Sequence, residues 1–153
     1  MGVTPNTFAA RHAALMAALG RLRDPQERLS WVVEQARNRP AFPAAWRTDD
    51  RLVKGCAARL WFRAELEADR CRFACDSDSA ILQAMAGLLC GLYDRLAPAE
   101  VAAHEPVFLE AAGLLSQLTE NRRRTVQRVR EVIREFAREP VPPPFPGPGT
   151  TCA

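Results

Sequence analysis

The segment RLVKGCAARLWF (residues 51–62) places a cysteine between two basic side chains. A thiolate, not a thiol, is the nucleophilic form of cysteine, and positive charges nearby favour it. Lys54 and Arg59 stand on either side of Cys56 and supply such charges. Gly55 can adopt a positive φ, as a tight exposed turn requires. The pattern indicates a reactive thiol on an exposed turn; the alternative is that Cys56 is a small apolar filler.

The other four cysteines carry weaker signals. Cys71 and Cys75 fall on the same side of an expected strand, so core filling is favoured over metal ligation. Cys90 lies within an apolar helix and is expected to be buried, whereas Cys152 lies in the C-terminal tail and is expected to be exposed. Five is an odd count with no regular short spacing, so the thiols are expected to be reduced.

Other kinds of catalytic or metal site find little support. The sequence has no CxxC pair, and its two histidines are His12 and His104, so no metal or cluster site is expected. Neither histidine has a local signature that would make it the partner of Cys56 in a Cys–His dyad. There is also no Gly-rich phosphate loop and no supported Ser-His-Asp arrangement.

Two charged segments lie at predicted helix starts. In CDSDS (residues 75–79), Asp76 and Asp78 are expected to cap the helix that follows, with Ser79 as an alternative cap. The cluster Arg122–Arg124 falls in the first turn of the last helix, where the helix dipole disfavours cations. A solvated face is the simplest interpretation, and an acidic partner within or outside the chain is the alternative.

The composition is that of a single globular domain. The chain has 153 residues, of which 48% are hydrophobic and 25% charged. A net charge of +3 without a concentrated basic face does not indicate nucleic-acid binding. No apolar run approaches the ~20 residues of a membrane span. The N-terminus lacks the early positive charge of a signal peptide and is predicted to be an amphipathic helix of a cytoplasmic protein.

Hydrophobic periodicity and capping residues predict most helices. The longer ones are expected at about Thr7–Leu22, from Asp24 to about Asn38, at Ala80–Tyr93, and from near Thr119 to Pro140. Shorter ones are expected from Pro98 to about Ala103 and as one or two turns between His104 and Gln117.

A period of two predicts strands after residue 50. The expected meander has three antiparallel strands, at about 51–55, 59–66 and 70–76, with one apolar face. The nearly all-apolar third helix would cover that face. The predicted fold class is α+β, with a three-stranded antiparallel sheet covered on one face by helices. Residues 1–139 form the domain, and the Pro/Gly-rich residues 140–153 are expected to be a disordered tail whose removal changes stability little.

Several segments occur in the order and spacing of a known family. RLVKGCAARLWF, CDSDSAILQAMAGLL, LYDRLAPAEV and LLSQLTENRR resemble the SufE family, whose members accept sulfur from a cysteine desulfurase for iron–sulfur cluster assembly. The similarity runs from about Asp24 to Arg138. It implies a compact SufE-like or IscU-like α+β fold, with the active cysteine on a loop between two strands.

The resemblance also assigns site residues. It places the family's cysteine on Cys56, its aspartate near the cysteine loop on Asp78, its arginine on Arg122 and its second-strand tryptophan on Trp61. The remaining implied loop or partner-binding positions are Lys54, Gly55, Ala57, Ala58 and Arg59.

The chain departs from the family pattern near the cysteine. The family usually reads G-C-Q-S, and here Ala57 and Ala58 replace the amide and hydroxyl side chains. Cys75 stands where the family usually has a glycine. These changes bear on the dynamics of the loop and on the choice of partner.

The resemblance implies that Cys56 takes persulfide sulfur from a SufS-like or CsdA-like cysteine desulfurase, stimulates it, and passes sulfur to an iron–sulfur scaffold or another acceptor. The chain would be an accessory protein, not an enzyme, with no metal and no cofactor, because pyridoxal phosphate belongs to the partner. A monomer or weak homodimer is expected. Two alternatives stay open: a cluster scaffold, which needs about three or four ligands near Cys56, and a catalytically silent interaction module.

Overall fold

The computed structural model describes residues 7–56 and 58–142, and its elements are mainly helical. The helices are α1 (Phe8–Gly20), α2 (Pro25–Ala36), α3 (Ala80–Tyr93), α4 (Pro98–Ala103), α5 (Phe108–Ala111) and α6 (Glu120–Arg138). The strands are β1 (Leu60–Glu67) and β2 (Arg70–Ser77), and 3-10 turns occur at Ala44–Trp46, Asp49–Arg51 and Leu115–Gln117. Residues 1–6, Ala57 and residues 143–153, with Cys152, lie outside the described residues.

Helix α2 begins where local capping chemistry predicts. At α2 the Asp24 carboxylate accepts a hydrogen bond from the Glu27 N–H at 2.9 Å, with Pro25 in the first helical position. The Glu27 carboxylate in turn accepts from the Arg23 N–H at 3.0 Å. Since each of these contacts spans at most four residues, the sequence alone was enough to locate them.

The predicted sheet of three strands is wrong, because the described residues form a two-stranded antiparallel sheet. The segment at 51–55 is not a strand. Its first residue belongs to the Asp49–Arg51 turn, Leu52 makes a single bridge to Trp61, and Gly55 turns the chain away with φ +86°. Too few residues remain between the two turns to build a strand of ordinary length.

The hairpin that remains is in regular register. Leu60 lies opposite Ser77, and Glu67 lies opposite Arg70. The two residues between the strands, Ala68 and Asp69, have φ of +50° and +63°. Positive φ at both central residues is the mark of a type I′ turn, whose twist matches that of the strands it joins.

The edge of β2 that does not face β1 is hydrogen-bonded to the segment that follows α3. The Cys71 N–H donates to the Leu96 carbonyl at 2.8 Å, and the Cys71 carbonyl accepts from the Arg95 N–H at 2.6 Å. Two residues along, the Phe73 N–H donates to the Asp94 carboxylate at 2.8 Å. Arg95 has φ +69°, a conformation that non-glycine residues adopt uncommonly.

Both faces of the hairpin are covered. On the inner face, Phe73 stacks on Phe62 with ring centroids 6.0 Å apart and meets Phe136 of α6 edge-on at 5.7 Å. Helix α3, apolar almost all round, packs against β2 with Leu82, Met85 and Leu89 fully buried. On the outer face the Arg63 guanidinium lies 4.2 Å from the ring centroid of Trp46, so residues before the sheet also cover it.

None of the helices within the described ranges is long and apolar enough to span a bilayer.

The open edge of β1 is paired near its end by the start of the tail, because the Leu66 N–H donates to the Val141 carbonyl at 2.7 Å. The expectation that removal of residues 140–153 changes stability little therefore does not extend to Val141. Truncation after Glu139 is expected to lower the free energy of unfolding by about 1 kcal/mol relative to truncation after Pro142, since only the shorter chain lacks this acceptor. Urea denaturation of the two truncated chains measures the difference. Equal stabilities would show that Val141 contributes nothing.

Candidate functional site

Cys56 lies on a loop whose base is held closed. The Cys56 loop (residues 54–59, described except for Ala57) begins and ends at neighbouring points, since the Val53 N–H donates to the Leu60 carbonyl at 2.8 Å. Gly55 is exposed and has φ +86°, as the sequence predicted for a tight turn. The Cys56 side chain is half-buried. The thiol therefore lies on a short loop whose two ends are joined by a backbone hydrogen bond.

The C-terminal end of the Cys56 loop is tied to the junction between β2 and α3. The Arg59 carbonyl accepts a hydrogen bond from the Ser77 hydroxyl at 2.7 Å and one from the Asp78 N–H at 3.4 Å. Asp78 thus lies beside the Cys56 loop, but the contact is made by its backbone, and its side chain is exposed.

The cap of α3 is Ser79, not an aspartate. The Ser79 hydroxyl accepts a hydrogen bond from the Leu82 N–H at 3.3 Å, which confirms the alternative cap. The predictions that Asp76 and Asp78 cap this helix are wrong. Strand β2 continues through Ser77, so Asp76 belongs to the strand and Asp78 lies one residue before the cap.

Asp76 is instead a buried carboxylate with two partners. Its side chain is 3% exposed and accepts hydrogen bonds from Arg47 Nε at 2.6 Å and from Gln83 Nε2 at 2.7 Å. Buried charges are stable only when they are paired and hydrogen-bonded, so this carboxylate anchors Arg47 to the sheet. Arg47 and Gln83 were not identified from the sequence. The one signal that could have indicated Arg47 is the general rule that a buried aspartate needs a cation as its partner.

A row of side chains connects Asp76 to the Cys56 loop. The buried ring of Trp61 lies 5.9 Å from the Arg47 guanidinium and 5.1 Å from that of Arg59. Each arginine is within the range of a cation–π contact. Asp76, Arg47, Trp61 and Arg59 therefore form a contiguous row from the sheet to the last residue of the loop.

Surface hollows border the loop at both ends. A hollow of about 340 Å³ is lined by Ala58 and Arg122 together with Leu82 of α3 and three further residues of the start of α6. A second, of about 300 Å³, is lined by Lys54, Val53 and Phe62, among others.

The three arginines at the start of α6 have different environments. Arg123 donates to the Leu115 and Leu118 carbonyls at 3.2 and 3.1 Å, and Arg124 pairs with Glu120 at 3.0 Å. Within residues 7–56 and 58–142 the Arg122 guanidinium has no hydrogen-bond or ion-pair partner, and it lines the hollow at Ala58. Two arginines of the cluster, Arg123 and Arg124, thus have partners within the chain, and Arg122 is available to a partner that binds beside the loop.

The other described cysteines are free thiols in less accessible places. Cys71 is buried, and burial, with the nearby Asp94 charge, raises its pKa to about 11. The pKa of Cys90 is raised by contact with the Cys75 thiol and by burial. Cys75 is half-buried. No group of three or more His, Cys, Asp or Glu side chains in the described ranges is placed to hold a metal ion.

Residues 13–137 match the family model "SufE: Fe-S metabolism associated domain". The chain belongs to the SufE family. SufE proteins act in Fe–S metabolism and sulfur transfer as accessories of cysteine desulfurases, and the family implies an association with such an enzyme.

One of the relatives carries the family's name and another is a much longer plant protein. The chain is 26% identical over 116 residues to an uncharacterized SufE-like protein of Synechocystis sp., which covers 76% of this chain and 73% of that protein. It is 40% identical over 81 residues to a chloroplastic quinolinate synthase of Arabidopsis thaliana, covering 52% of this chain and 11% of that protein. It therefore spans about a tenth of the plant protein and about three quarters of the cyanobacterial one.

A solved structure shares the fold. The solution structure of a hypothetical protein from Thermus thermophilus aligns with a TM-score of 0.68 at 20% sequence identity, over 84% of this chain and 93% of that one. The similarity supports the α+β architecture described above.

Limited alkylation is expected to label Cys56 well before Cys71 or Cys90. At pH 8 a thiol with a pKa of about 11 is ionised in only about one molecule in a thousand, and both buried thiols are closed to the reagent. Brief treatment with iodoacetamide at pH 8, followed by peptide mass spectrometry, gives the order. Labelling of Cys71 ahead of Cys56 in folded protein would contradict the assignment of the accessible thiol.

Removing Arg47 is expected to destabilise the protein more than neutralising Asp76. Arg47→Met leaves a buried carboxylate without its cation and should cost about 2 kcal/mol, whereas Asp76→Asn leaves a half-exposed arginine that water solvates and should cost about 1 kcal/mol. Urea denaturation measures both. The control is Arg37→Met, which breaks an exposed pair with Glu34 and should stay within about 0.5 kcal/mol of wild type. The reverse order would contradict the buried pair.

Proposed function

We propose that Cys56 is the persulfide acceptor of a sulfur-transfer protein that serves a cysteine desulfurase, and that it passes the sulfur on for iron–sulfur cluster assembly. The observation that carries the proposal is the Cys56 loop itself. Within the described residues, Cys56 is the cysteine that lies on a loop closed at its base, with basic side chains beside it and hollows at both ends.

In the proposed reaction, the desulfurase holds sulfur as a persulfide on its own cysteine. The Cys56 thiolate attacks the outer sulfur of that persulfide. A bond forms between Cys56 Sγ and the outer sulfur, the S–S bond of the desulfurase breaks, and its electron pair leaves with the desulfurase thiolate. The products are the Cys56 persulfide and a desulfurase ready for another turnover, which is the sense in which the chain stimulates the enzyme. The rate of such exchange depends on thiolate fraction, leaving group and access.

The side chains around the loop have supporting roles in this proposal. Lys54, Arg59 and Arg122 supply positive charge around the loop, which suits an acidic partner surface. Asp78 lies where the end of the loop meets β2, so a partner that binds the loop would also contact Asp78. Ala57 and Ala58 bring no hydroxyl or amide, so delivery relies on the backbone and on the partner.

The proposed partners are a SufS-like or CsdA-like cysteine desulfurase and a downstream scaffold or other sulfur acceptor. The chain needs no cofactor of its own for this step, because the pyridoxal phosphate that releases sulfur from cysteine belongs to the desulfurase. We place the reaction in the cytoplasm, with the protein acting as a monomer or weak homodimer.

Cys56→Ser is expected to abolish sulfur uptake and leave stability within about 0.5 kcal/mol of wild type, because an alcohol cannot carry a persulfide and the loop contributes little packing. Intact mass is measured after mixing with a desulfurase, pyridoxal phosphate and cysteine. Wild type should gain about one sulfur atom that reductant removes.

The matched control is Cys152→Ser, which should take up sulfur as wild type does. Full uptake by Cys56→Ser would show that another thiol is the acceptor. If wild type instead takes up iron and sulfide with a visible-light chromophore, the protein is a cluster scaffold; if it takes up neither, it is an interaction module.

A further inference from the structure

A cavity separate from the Cys56 loop lies at the free edge of β2. Its volume is about 440 Å³, within the range of small-molecule sites, and no residue of the Cys56 loop lines it. It is formed by residues 39–43 with Trp46, by one side of α3, and by the hairpin, from which Arg63 and the Arg72–Cys75 stretch contribute. Asp94, which is paired with Arg72, also lines it. The hydrogen bond from the Phe73 N–H to the Asp94 carboxylate lies at its border.

Its walls are largely apolar. Phe42 and Trp46 contact each other edge to face, with ring centroids 5.5 Å apart, and both line the cavity together with Phe73. On the side formed by the sheet and α3, the cavity is also lined by Cys75 and Cys90, whose thiols contact each other. Such surfaces suit the flat or branched apolar body of a small molecule.

The charges around the cavity are unequally paired. Arg63 pairs with Glu65, and Arg72 pairs with Glu67 and Asp94. Arg39 has no carboxylate within ion-pairing distance in the described ranges, and its hydrogen bond to the Ala84 carbonyl is long, at 3.5 Å. Burial accordingly lowers the pKa of Arg39, although an arginine remains protonated at neutral pH.

One donor of Arg63 lacks an acceptor. Arg63 lines the cavity, and its buried Nε–H has no hydrogen-bond partner among the described residues. Buried donors are costly when unsatisfied, and a guanidinium without a carboxylate more so. Both features point to an acceptor that arrives from outside the chain.

Two glycines of α3 shape the site. A Cβ on Gly87 would lie 3.0 Å from Arg39 Nη1, so glycine lets the guanidinium approach the helix. A Cβ on Gly91, at the cavity rim, would meet nothing within 4 Å, so the rim is open there. Glycine inside a helix costs about 1 kcal/mol relative to alanine, which makes two of them on one cavity wall a feature to explain.

We propose that this cavity binds a small organic carboxylate with an apolar body. The carboxylate pairs with the Arg39 guanidinium, whose planar fork suits two parallel hydrogen bonds. The apolar body lies between the rings of Phe42 and Trp46 and the strand edge at Cys75. A cation of the same shape is rejected by Arg39, and a neutral analogue lacks the ion pair. The site is independent of the sulfur-transfer role proposed for Cys56.

The test uses two probes of nearly equal shape, indole-3-acetate and its neutral alcohol analogue indole-3-ethanol, titrated calorimetrically into the full chain. Indole-3-acetate is expected to bind at least tenfold more tightly. Equal affinities, or no binding of either probe at millimolar concentration, would overturn the proposal.

Variants separate the two parts of the site. Arg39→Met should abolish the preference for the acid, and Arg37→Met, an exposed arginine two residues away, should keep it. Phe42→Ala should weaken both probes by a similar factor and keep their ratio. A preference that survives Arg39→Met would overturn the assignment.

Gly87→Ala tests the same point without removing the charge. The added methyl group would lie 3.0 Å from Arg39 Nη1, so the guanidinium must shift by a few tenths of an ångström, and the preference for the acid should fall. Alanine has a higher helix propensity than glycine, so the fold should be kept. An unchanged preference in a folded Gly87→Ala protein would also count against Arg39 as the carboxylate partner.

Discussion

A sheet of only two strands is the constraint on which the rest of this structure depends. A lone hairpin is marginally stable in water, because its backbone edges and both faces need partners. Here the outer edge of β2 is hydrogen-bonded to Arg95, Leu96 and the Asp94 carboxylate. The outer edge of β1 is hydrogen-bonded to Val53 and Val141. Helices cover one face, and Trp46 and Arg47 lie on the other, so segments far apart in sequence are held together by one small hairpin.

The Cys56 loop follows from this constraint. The contact that pairs the start of β1, from Val53 to Leu60, is also the one that closes the loop. The loop is thus anchored to the most buried part of the hairpin while its tip stays at the surface. A thiol that must enter the active site of another protein needs that combination, because a fully ordered core position gives no access and an unanchored loop spends free energy on ordering when it binds.

Sequence reasoning located what short-range chemistry determines. Asp24 and Glu27 place the start of α2, and the apolar run of α3 places that helix to the residue, because each signal lies within its own element. The third strand failed because pairing between distant segments decides strand formation, and one bridge at Leu52 does not make a strand. The partner of Asp76 was equally out of reach, since Arg47 lies 29 residues away in a segment that has no periodicity.

The same burial that builds the core also sorts the thiols by reactivity. Cys71 and Cys90 face the interior. Burial raises the pKa of Cys71, and contact with the Cys75 thiol together with burial raises the pKa of Cys90. They are therefore poor competitors for a persulfide, whatever their number, because sulfur exchange requires both the thiolate and access to it. Cys56 differs by position on the fold, not by residue type. In the role proposed for this SufE protein, sulfur acceptance is selective because the Cys56 thiol is accessible, whereas Cys71 and Cys90 are buried in the core and have raised pKa values.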